Sequence, residues 1–174
     1  MSISMTDLLQ KVEDTPSVTV NIPGQPNIAM RLICNTSIPI DWDKRSLEKE
    51  FDMSIPEDLE ELWTQTNSLT LFEDEVFGQW GLYIFGPNEI KGHHMDVIAE
   101  QDEYILGDLI VGRFIGDSDL LVLRCDPKAK DFGNVVIAGP IDSRSEWPIV
   151  STNLKSFIHS FLDEEGDKFW ERYQ

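Results

Sequence analysis

The chain has little cysteine and no long apolar run. Its two cysteines, Cys34 and Cys125, lie far apart and form no CxxC pair, so the sequence predicts neither a disulfide framework nor a structural zinc site. Residues 1–7 lack the basic and apolar regions of a signal peptide, and no segment approaches the apolar length that spans a membrane. We therefore expect a cytoplasmic protein in a reducing compartment, with no membrane partner.

Basic residues are scarce as well. The sequence has 14 Lys and Arg against 32 Asp and Glu, which gives a formal net charge of −18. This excess argues against direct binding of nucleic acids or anionic membranes, because both carry the same sign of charge. It would instead attract a basic protein partner and speed the association. An ordinary soluble acidic protein is the alternative interpretation of the charge.

The familiar catalytic motifs are also missing. The sequence contains no GxSxG, HExxH, GxGxxG or phosphate-binding GxxxxGKS/T motif, and we expect no enzyme activity, no cofactor and no metal ion. A metal-dependent enzyme remains an alternative, through His93 and His94 or through Asp117 and Asp119. Adjacent histidines point apart, however, which favours a solvated loop. The two aspartates lie in a predicted hairpin turn, where aspartate is favoured by its local hydrogen bonds.

The residues that are present suffice for one domain with its own core. The chain has 174 residues, of which 41% are hydrophobic. Apolar residues at helical spacing predict a short first helix capped by Thr6 or Asp7, a second over 43–53, a third from about Ile55 to Asn67, and a last one after 151–153. The third helix is expected to begin with a capping box between Ser54 and Glu57.

Other segments predict strands. Residues 17–22 and 28–33 predict a hairpin, 80–85 a strand, 104–115 and 120–124 a hairpin across the turn at 116–119, and 134–138 and 147–150 two further strands. Residues 69–77 are expected to connect two elements, and 88–103 to form a loop with at most one helical turn. We expect Leu59, Leu62, Trp63 and Trp80 to be buried. The whole chain is predicted to be a single α+β domain, to which residues 1–42 add a helix and a hairpin.

Acidic residues concentrate between residues 50 and 90. This stretch has no Lys or Arg and ten carboxylates: Glu50, Asp52, Glu57, Asp58, Glu60, Glu61, Glu73, Asp74, Glu75 and Glu89. Three of them lie among aromatic and aliphatic residues in a predicted loop, and charge combined with apolar anchors is typical of a binding edge. The first candidates for partner binding are therefore Glu73, Asp74, Glu75, Phe72 and Phe77. Weaker candidates are Asp102, Glu103, Asp117 and Asp119.

The order of the elements is itself informative. A leading acidic helix, an Ile-Pro helix start, an aliphatic helix ending in Asn and an aromatic strand follow one another, carried by Glu48, Phe51, Ile55, Pro56, Leu59, Leu62, Trp63, Asn67 and Trp80. Over residues 43–165 this order resembles the SUKH superfamily, the Smi/Knr-type domains. Residues 110–123 are similar to its second hairpin and 156–162 to its closing helix. The sequence departs from the family at Ser68, where Gly is usual, and in the 118–119 turn.

The resemblance implies a twisted, mostly antiparallel sheet flanked by helices. It also implies a bacterial immunity protein, which would bind a cognate polymorphic or contact-dependent toxin in the cytosol and block it by stoichiometric binding, without catalysis. Many such toxins are nucleases with basic surfaces, and an acidic protein can occupy such a surface as a mimic of the nucleic-acid backbone. The alternative within the same fold is a regulatory or scaffolding module that binds signalling partners.

Overall fold

An eight-stranded antiparallel sheet forms the centre of the computed structural model, which describes residues 3–22 and 25–173. Each strand pairs with the next one along the chain. The strands are β1 (Ser17–Ile22), β2 (Gln25–Thr36), β3 (Leu69–Asp74), β4 (Leu82–Ile84), β5 (Asp108–Phe114), β6 (Leu120–Arg124), β7 (Val135–Ala138) and β8 (Ile149–Ser151). The helices are α1 (Met5–Asp14), α2 (Lys44–Phe51), α3 (Glu57–Gln65), α4 (Ile90–Glu100) and α5 (Leu154–Asp163), and two short 3-10 helices cover Arg144–Glu146 and Phe169–Tyr173. The predicted α+β class is confirmed.

Helices α1, α3 and α5 contact one another, and α1 also contacts β2. The helical spacing of the apolar residues in α3 places Leu59, Leu62 and Trp63 on one face, and all three are buried as predicted. Trp80 is only partly buried, contrary to the prediction, and its indole nitrogen donates a hydrogen bond to the carbonyl oxygen of Gly166 at 3.2 Å. The core therefore lies between the helices and the middle of the sheet.

The first helix is capped by Ser4, and not by Thr6 or Asp7 as predicted. The hydroxyl of Ser4 accepts a hydrogen bond from the backbone nitrogen of Asp7, and the Asp7 carboxylate accepts one from the backbone nitrogen of Ser4, both at 3.1 Å. This reciprocal pair is a capping box. The hydrogen bonds from Ser4 hold the pKa of Asp7 below its usual value.

The capping box predicted for α3 is wrong. The helix begins at Glu57 and has no side-chain cap. The backbone nitrogen of Ile55 instead donates to the carboxylate of Glu48 at 2.8 Å, and that of Ser54 donates to the carbonyl oxygen of Cys125 at 3.0 Å. The distant Cys125 therefore satisfies the backbone donor of Ser54 that the predicted capping box would have satisfied locally.

Two segments predicted as irregular are regular. Residues 69–74 form β3, which pairs with both β2 and β4, although they were expected to be a connection. Residues 90–100 form α4, which contacts β5, where a loop was expected. The first segment is ordered by strand pairing within the sheet, and the second by packing against the sheet. In both, tertiary contacts override weak local propensity.

The predicted hairpins are confirmed as β1–β2 and β5–β6. The loop predicted for the first hairpin includes Pro23 and Gly24, which lie outside the described residues. The third predicted strand is shorter than expected, since β4 covers only Leu82–Ile84 of residues 80–85. The last strand, β8, forms one edge of the sheet, and the last helix, α5, begins at the cap Asn153.

Candidate functional site

Two turns that are distant in sequence lie side by side at one end of the sheet. Gly116 has a φ of +87° and packs so closely against Gln79 that a Cβ atom would collide with its backbone, so this position requires glycine. The contact joins the β3–β4 turn to the β5–β6 turn. Residues 73–80 and 115–119, which we name the turn surface, therefore bring two groups of candidate residues together that the sequence predicts separately.

The turn surface exposes two large apolar side chains, Val76 and Phe77, which are 69% and 62% exposed. Glu75, next to them, is exposed and forms a loose ion pair with Arg31 at 3.6 Å. Glu73 is half-buried. An aromatic side chain in water beside carboxylates is the combination expected where a protein partner binds.

Two of the candidate residues, Asp74 and Phe72, face inward instead. The prediction of a loop is also wrong for Glu73 and Asp74, because both belong to the end of strand β3. Asp74 is buried, and its carboxylate accepts hydrogen bonds from the backbone nitrogens of Val76 at 3.0 Å and Phe77 at 3.2 Å. Phe72 is buried against Phe161, with 5.7 Å between the ring centroids. Asp74 and Phe72 thus shape the turn surface without presenting their side chains on it.

Asp117 and Asp119 lie in the predicted turn, where the Asp117 carboxylate accepts a hydrogen bond from the backbone nitrogen of Asp119 at 2.9 Å. Both carboxylates also bind the ammonium group of Lys168, which lies 5.0 Å from the centre of the Phe114 ring. Burial disfavours the charged ammonium, but these hydrogen bonds outweigh it and raise the pKa of Lys168. The two aspartates therefore anchor the C-terminal segment, and the single ammonium group offsets one of their two negative charges.

The acidic run of residues 50–90 is also mostly engaged within the chain. Seven of its ten carboxylates accept a hydrogen bond or form an ion pair: Glu50 with Lys91, Asp58 with the backbone of Leu59 and Lys155, Glu60 with Lys44, Glu61 with Lys155, Asp74 with its own turn, Glu75 with Arg31, and Glu89 with Tyr83. The run is therefore not one continuous free acidic face. Its carboxylates hold helices and turns in place, and only part of their charge is available to a partner.

Asp102 and Glu103 lie away from the turn surface, because they precede β5 whereas the turn at 115–119 follows it. Asp102 is exposed. Glu103 is exposed too, but its carboxylate accepts a hydrogen bond from the backbone nitrogen of Arg144 at 2.8 Å. The candidate residues thus divide between the two ends of β5 and do not form a single site.

The two adjacent histidines lie in α4, so the predicted solvated loop is wrong. The ring of His93 stacks on Phe85, with 4.1 Å between the centroids. His94 is buried, and its Nδ1 accepts a hydrogen bond from the backbone nitrogen of Ile110 at 3.4 Å. Burial lowers the pKa of His94, although the nearby Asp108 opposes the shift. Within residues 3–22 and 25–173, no three His, Cys, Asp or Glu side chains are grouped so as to hold a metal ion.

A buried ionic cluster was missed in the sequence. Asp108, at the start of β5, accepts hydrogen bonds from Arg124 at 2.7 Å and from Nη2 of Arg144 at 2.9 Å. Arg124 also donates to Asp131 at 2.8 Å. The one available signal was an arginine within the apolar run of β6, since a buried charge requires a charged partner. The cluster ties the segment before β5 to the sheet.

One known protein family matches most of the chain. The sequence model of the SMI1/KNR4 family (SUKH-1) matches residues 41–160, which covers α2 through most of α5 and includes the turn surface. The match therefore covers more than half of the chain. The chain belongs to the SMI1/KNR4 family, as the resemblance to the SUKH superfamily implied. No curated protein matches the chain significantly.

The helices of the described residues are all short. Among the helices of the described residues, none has both the length and the apolar character needed to cross a bilayer. The longest of them, α4, has 11 residues, whereas a spanning helix needs about 20.

Proposed function

We propose that the protein is an immunity protein that binds a cognate bacterial toxin in the cytosol and blocks it by stoichiometric binding, without catalysis. Membership of the SMI1/KNR4 family is consistent with this role. The observation that carries the proposal is the exposed pair Val76 and Phe77, which directly follows Glu73, Asp74 and Glu75 in the β3–β4 turn.

The backbone of the exposed pair is hydrogen-bonded within its own turn. The carboxylate of Asp74 accepts hydrogen bonds from the backbone nitrogens of both Val76 and Phe77, and Gly116 packs against Gln79 from the neighbouring turn. A binding loop that is fixed before it meets its partner loses little conformational entropy on association. These contacts therefore support a role for Phe77 as the central anchor of the interface.

The charge supports a basic partner. With a net charge of −18, the protein attracts a cationic surface over distances of about 8 Å at physiological salt. A nuclease toxin carries such a surface because it binds phosphate groups. On this proposal the apolar anchors supply most of the affinity, and the surrounding carboxylates supply the rate and the orientation of association.

Co-expression tests the proposal. A toxin domain encoded by a neighbouring reading frame should kill cells alone and spare them when this protein is present. Phe77→Ser should abolish protection, whereas Ile38→Ser should retain it, because Ile38 is 85% exposed but lies in the loop after β2, away from the turn surface. Continued killing with no complex formed would refute the immunity role. Binding of a non-toxic partner instead would indicate a regulatory or scaffolding module.

A further inference from the structure

The two edge strands of the sheet differ in how they are protected. At one edge, β8 has three residues and directly follows Pro148, which has no backbone N–H group. At the other edge, β1 has six residues, Ser-Val-Thr-Val-Asn-Ile, with no proline and no charged side chain. Short strands, prolines and charges are the usual means by which proteins keep further strands from pairing with an edge. The edge formed by β1 lacks all three.

The register of the first hairpin shows which backbone groups β1 leaves unpaired. The carbonyl oxygen of Pro16 accepts a hydrogen bond from the backbone nitrogen of Cys34 at 2.8 Å. Hydrogen-bonded and non-hydrogen-bonded pairs alternate along an antiparallel ladder. In this register Ser17, Thr19 and Asn21 therefore turn their N–H and C=O groups away from β2. Within the described residues no strand lies on that side, so these groups form a row that fits another extended backbone.

A pocket of about 260 Å³ lies beside β1 on the core side of the sheet. Its apolar lining comes from the first two strands and from one indole ring: Val20, Met30, Leu32 and Trp80. Its polar lining consists of one amide and three carboxylates: Asn21, Glu164, Glu165 and Asp167. The pocket therefore adjoins the unpaired backbone groups and combines apolar surface with negative charge.

Local contacts hold the wall that carries the carboxylates. The indole nitrogen of Trp80 donates to the carbonyl oxygen of Gly166 at 3.2 Å. Gly166 has a φ of +85°, and a Cβ atom there would lie only 2.6 Å from Cγ of Phe72, so this position requires glycine. The turn after α5 is thus packed against the body of the protein, and the pocket needs little reorganisation to accept a side chain.

The charge of the pocket selects a basic side chain. Arg172 binds both Glu164 and Asp167, so one guanidinium group is set against three carboxylates. Glu165 is exposed and forms no ion pair within the described part of the chain. A Lys or Arg side chain in the pocket would offset the remaining negative charge and lie near the indole ring of Trp80, which also attracts a cation.

A second copy of the protein is a poor occupant of this edge. Its own β1 would present only neutral side chains to the pocket, and the carboxylates would keep their excess charge. Each copy also carries a net charge of −18, so the two chains repel one another. The charge therefore favours a basic segment of a different protein over self-association.

We infer that β1 binds an extended basic segment of a partner protein, which adds an antiparallel strand to the sheet and places a Lys or Arg side chain in the pocket. Side chains opposite Val18 and Val20 lie on the core side, as these valines do, because cross-strand neighbours share a face. Residues opposite Ser17, Thr19 and Asn21 form the new backbone hydrogen bonds. The inference goes beyond the proposed function, since it requires neither a toxin nor the exposed pair of the turn surface.

The test uses a synthetic peptide of about seven residues in which Lys alternates with Thr, long enough to span β1 at about 3.3 Å per residue. Titration into ¹⁵N-labelled full-length protein at about 0.15 M salt should shift the amide resonances of residues 17–21 and the indole resonance of Trp80. With Lys on the pocket side, the Thr nitrogens face β1 and the Lys nitrogens face away.

Two N-methylated peptides of equal composition and charge test this geometry. Methylation of the Thr nitrogens should weaken binding by about tenfold or more, whereas methylation of the Lys nitrogens should leave it nearly unchanged. Any other pattern, or the absence of saturable binding, would overturn the inference.

Variants of the protein locate the site. Thr19→Pro removes an outward N–H group that the fold does not use, and edge strands tolerate proline. It should weaken binding of the unmethylated peptide by about tenfold or more, whereas Thr19→Val, which keeps the N–H group, should not. Glu165→Lys should also weaken binding, and Asp102→Lys, with the same change of charge at an exposed position outside the pocket, should have a smaller effect.

Circular dichroism checks that each variant is folded. Equal binding by Thr19→Pro and Thr19→Val, or equal losses in Glu165→Lys and Asp102→Lys, would overturn the inference. Sedimentation of the protein without peptide tests the rival occupant. A concentration-dependent dimer that Thr19→Pro abolishes would overturn the inference as well, because it would assign the edge to a second copy.

Discussion

The carboxylate of Asp108 accepts a 2.7 Å hydrogen bond from Nη1 of Arg124, and the two side chains are 0% and 4% exposed. Arg144 binds the same carboxylate from the other side. This pair also holds the segment before β5. The backbone nitrogen of Ile105 donates to the carboxylate of Asp108, and the carbonyl oxygen of Leu106 accepts a hydrogen bond from Arg124. A single buried carboxylate thus links the core to the segment before β5.

Replacing this carboxylate should be costly. Asp108→Asn leaves two arginines without a full counter-charge, and breaking a buried ion pair on one side typically costs about 3–5 kcal/mol. Urea unfolding should show the loss as a lower midpoint with an unchanged slope. Asp102→Asn is the matched control, since Asp102 is exposed, and should change stability by less than about 0.5 kcal/mol. Similar small losses in both variants would show that the cluster does not hold the fold.

His94 should make stability depend on pH. Its pKa is lowered by burial from the ordinary value of 6.5, so the unfolded chain binds more protons than the folded one between the two values. The stability that neutral His94 contributes is fully present above pH 6.5. It is lost as the pH falls toward the lower pKa that His94 has in the folded protein. A protonated Nδ1 could no longer accept the hydrogen bond from Ile110.

Unfolding free energies across the pH range below 6.5 test this directly. His94→Asn, which keeps an acceptor near Ile110 without a titrating ring, should lose less stability than the wild type as the pH falls. His93→Asn, with an exposed side chain, should follow the wild type. Parallel curves for the wild type and His94→Asn would contradict the role given to His94.

Lys168 should fasten the C-terminal segment. Lys168→Met leaves Asp117 and Asp119 facing each other without the ammonium group that joins them, and we expect a loss of about 1–3 kcal/mol. Hydrogen exchange should accelerate in residues 168–173 and remain slow in α3 and α5. Lys128→Met, at an exposed position in the loop after β6, should have neither effect. Unchanged protection of residues 168–173 would count against the anchoring contact.

Much of the fold follows from local sequence patterns. The stripe of Leu154, Phe157, Ile158 and Phe161 determines α5 because it needs only a helical period and a cap. The β5–β6 hairpin follows from two apolar runs around a turn rich in Gly and Asp. The family was also accessible, since it depends on the order of such elements rather than on any single contact.

Two of the errors have a common physical cause, which is contact between distant parts of the chain. Helix α4 contains Gly92 and an irregular apolar pattern, and its packing against β5 stabilises it. The expected cap at Ser54 lost its role because Cys125 accepts its backbone hydrogen bond. Neither of these outcomes can be obtained from spacing alone.

The candidate surface was predictable only in part. The exposure of Phe77 agrees with the expectation of an apolar anchor, although its interaction with a partner remains a prediction. The contact between Gly116 and Gln79, which joins the two turns, links residues 37 positions apart and leaves no local signal.

Charge reversal on the turn surface should slow association. Glu73→Lys combined with Glu75→Lys should reduce the association rate of the toxin complex by about tenfold at low salt and flatten its salt dependence, with a smaller effect on dissociation. Glu13→Lys combined with Asp41→Lys carries the same change in net charge at two exposed positions elsewhere. Stopped-flow measurements at several salt concentrations compare the two. Equal slowing by both pairs would remove the turn surface from the interface.

Titration of the purified toxin with this protein tests the central claim most directly. Toxin activity should fall linearly with added protein and vanish at one equivalent, and calorimetry of the same mixture should give a 1:1 complex that Phe77→Ser weakens by about tenfold or more. Toxin activity that stays constant past one equivalent, with no heat of binding, would contradict the account.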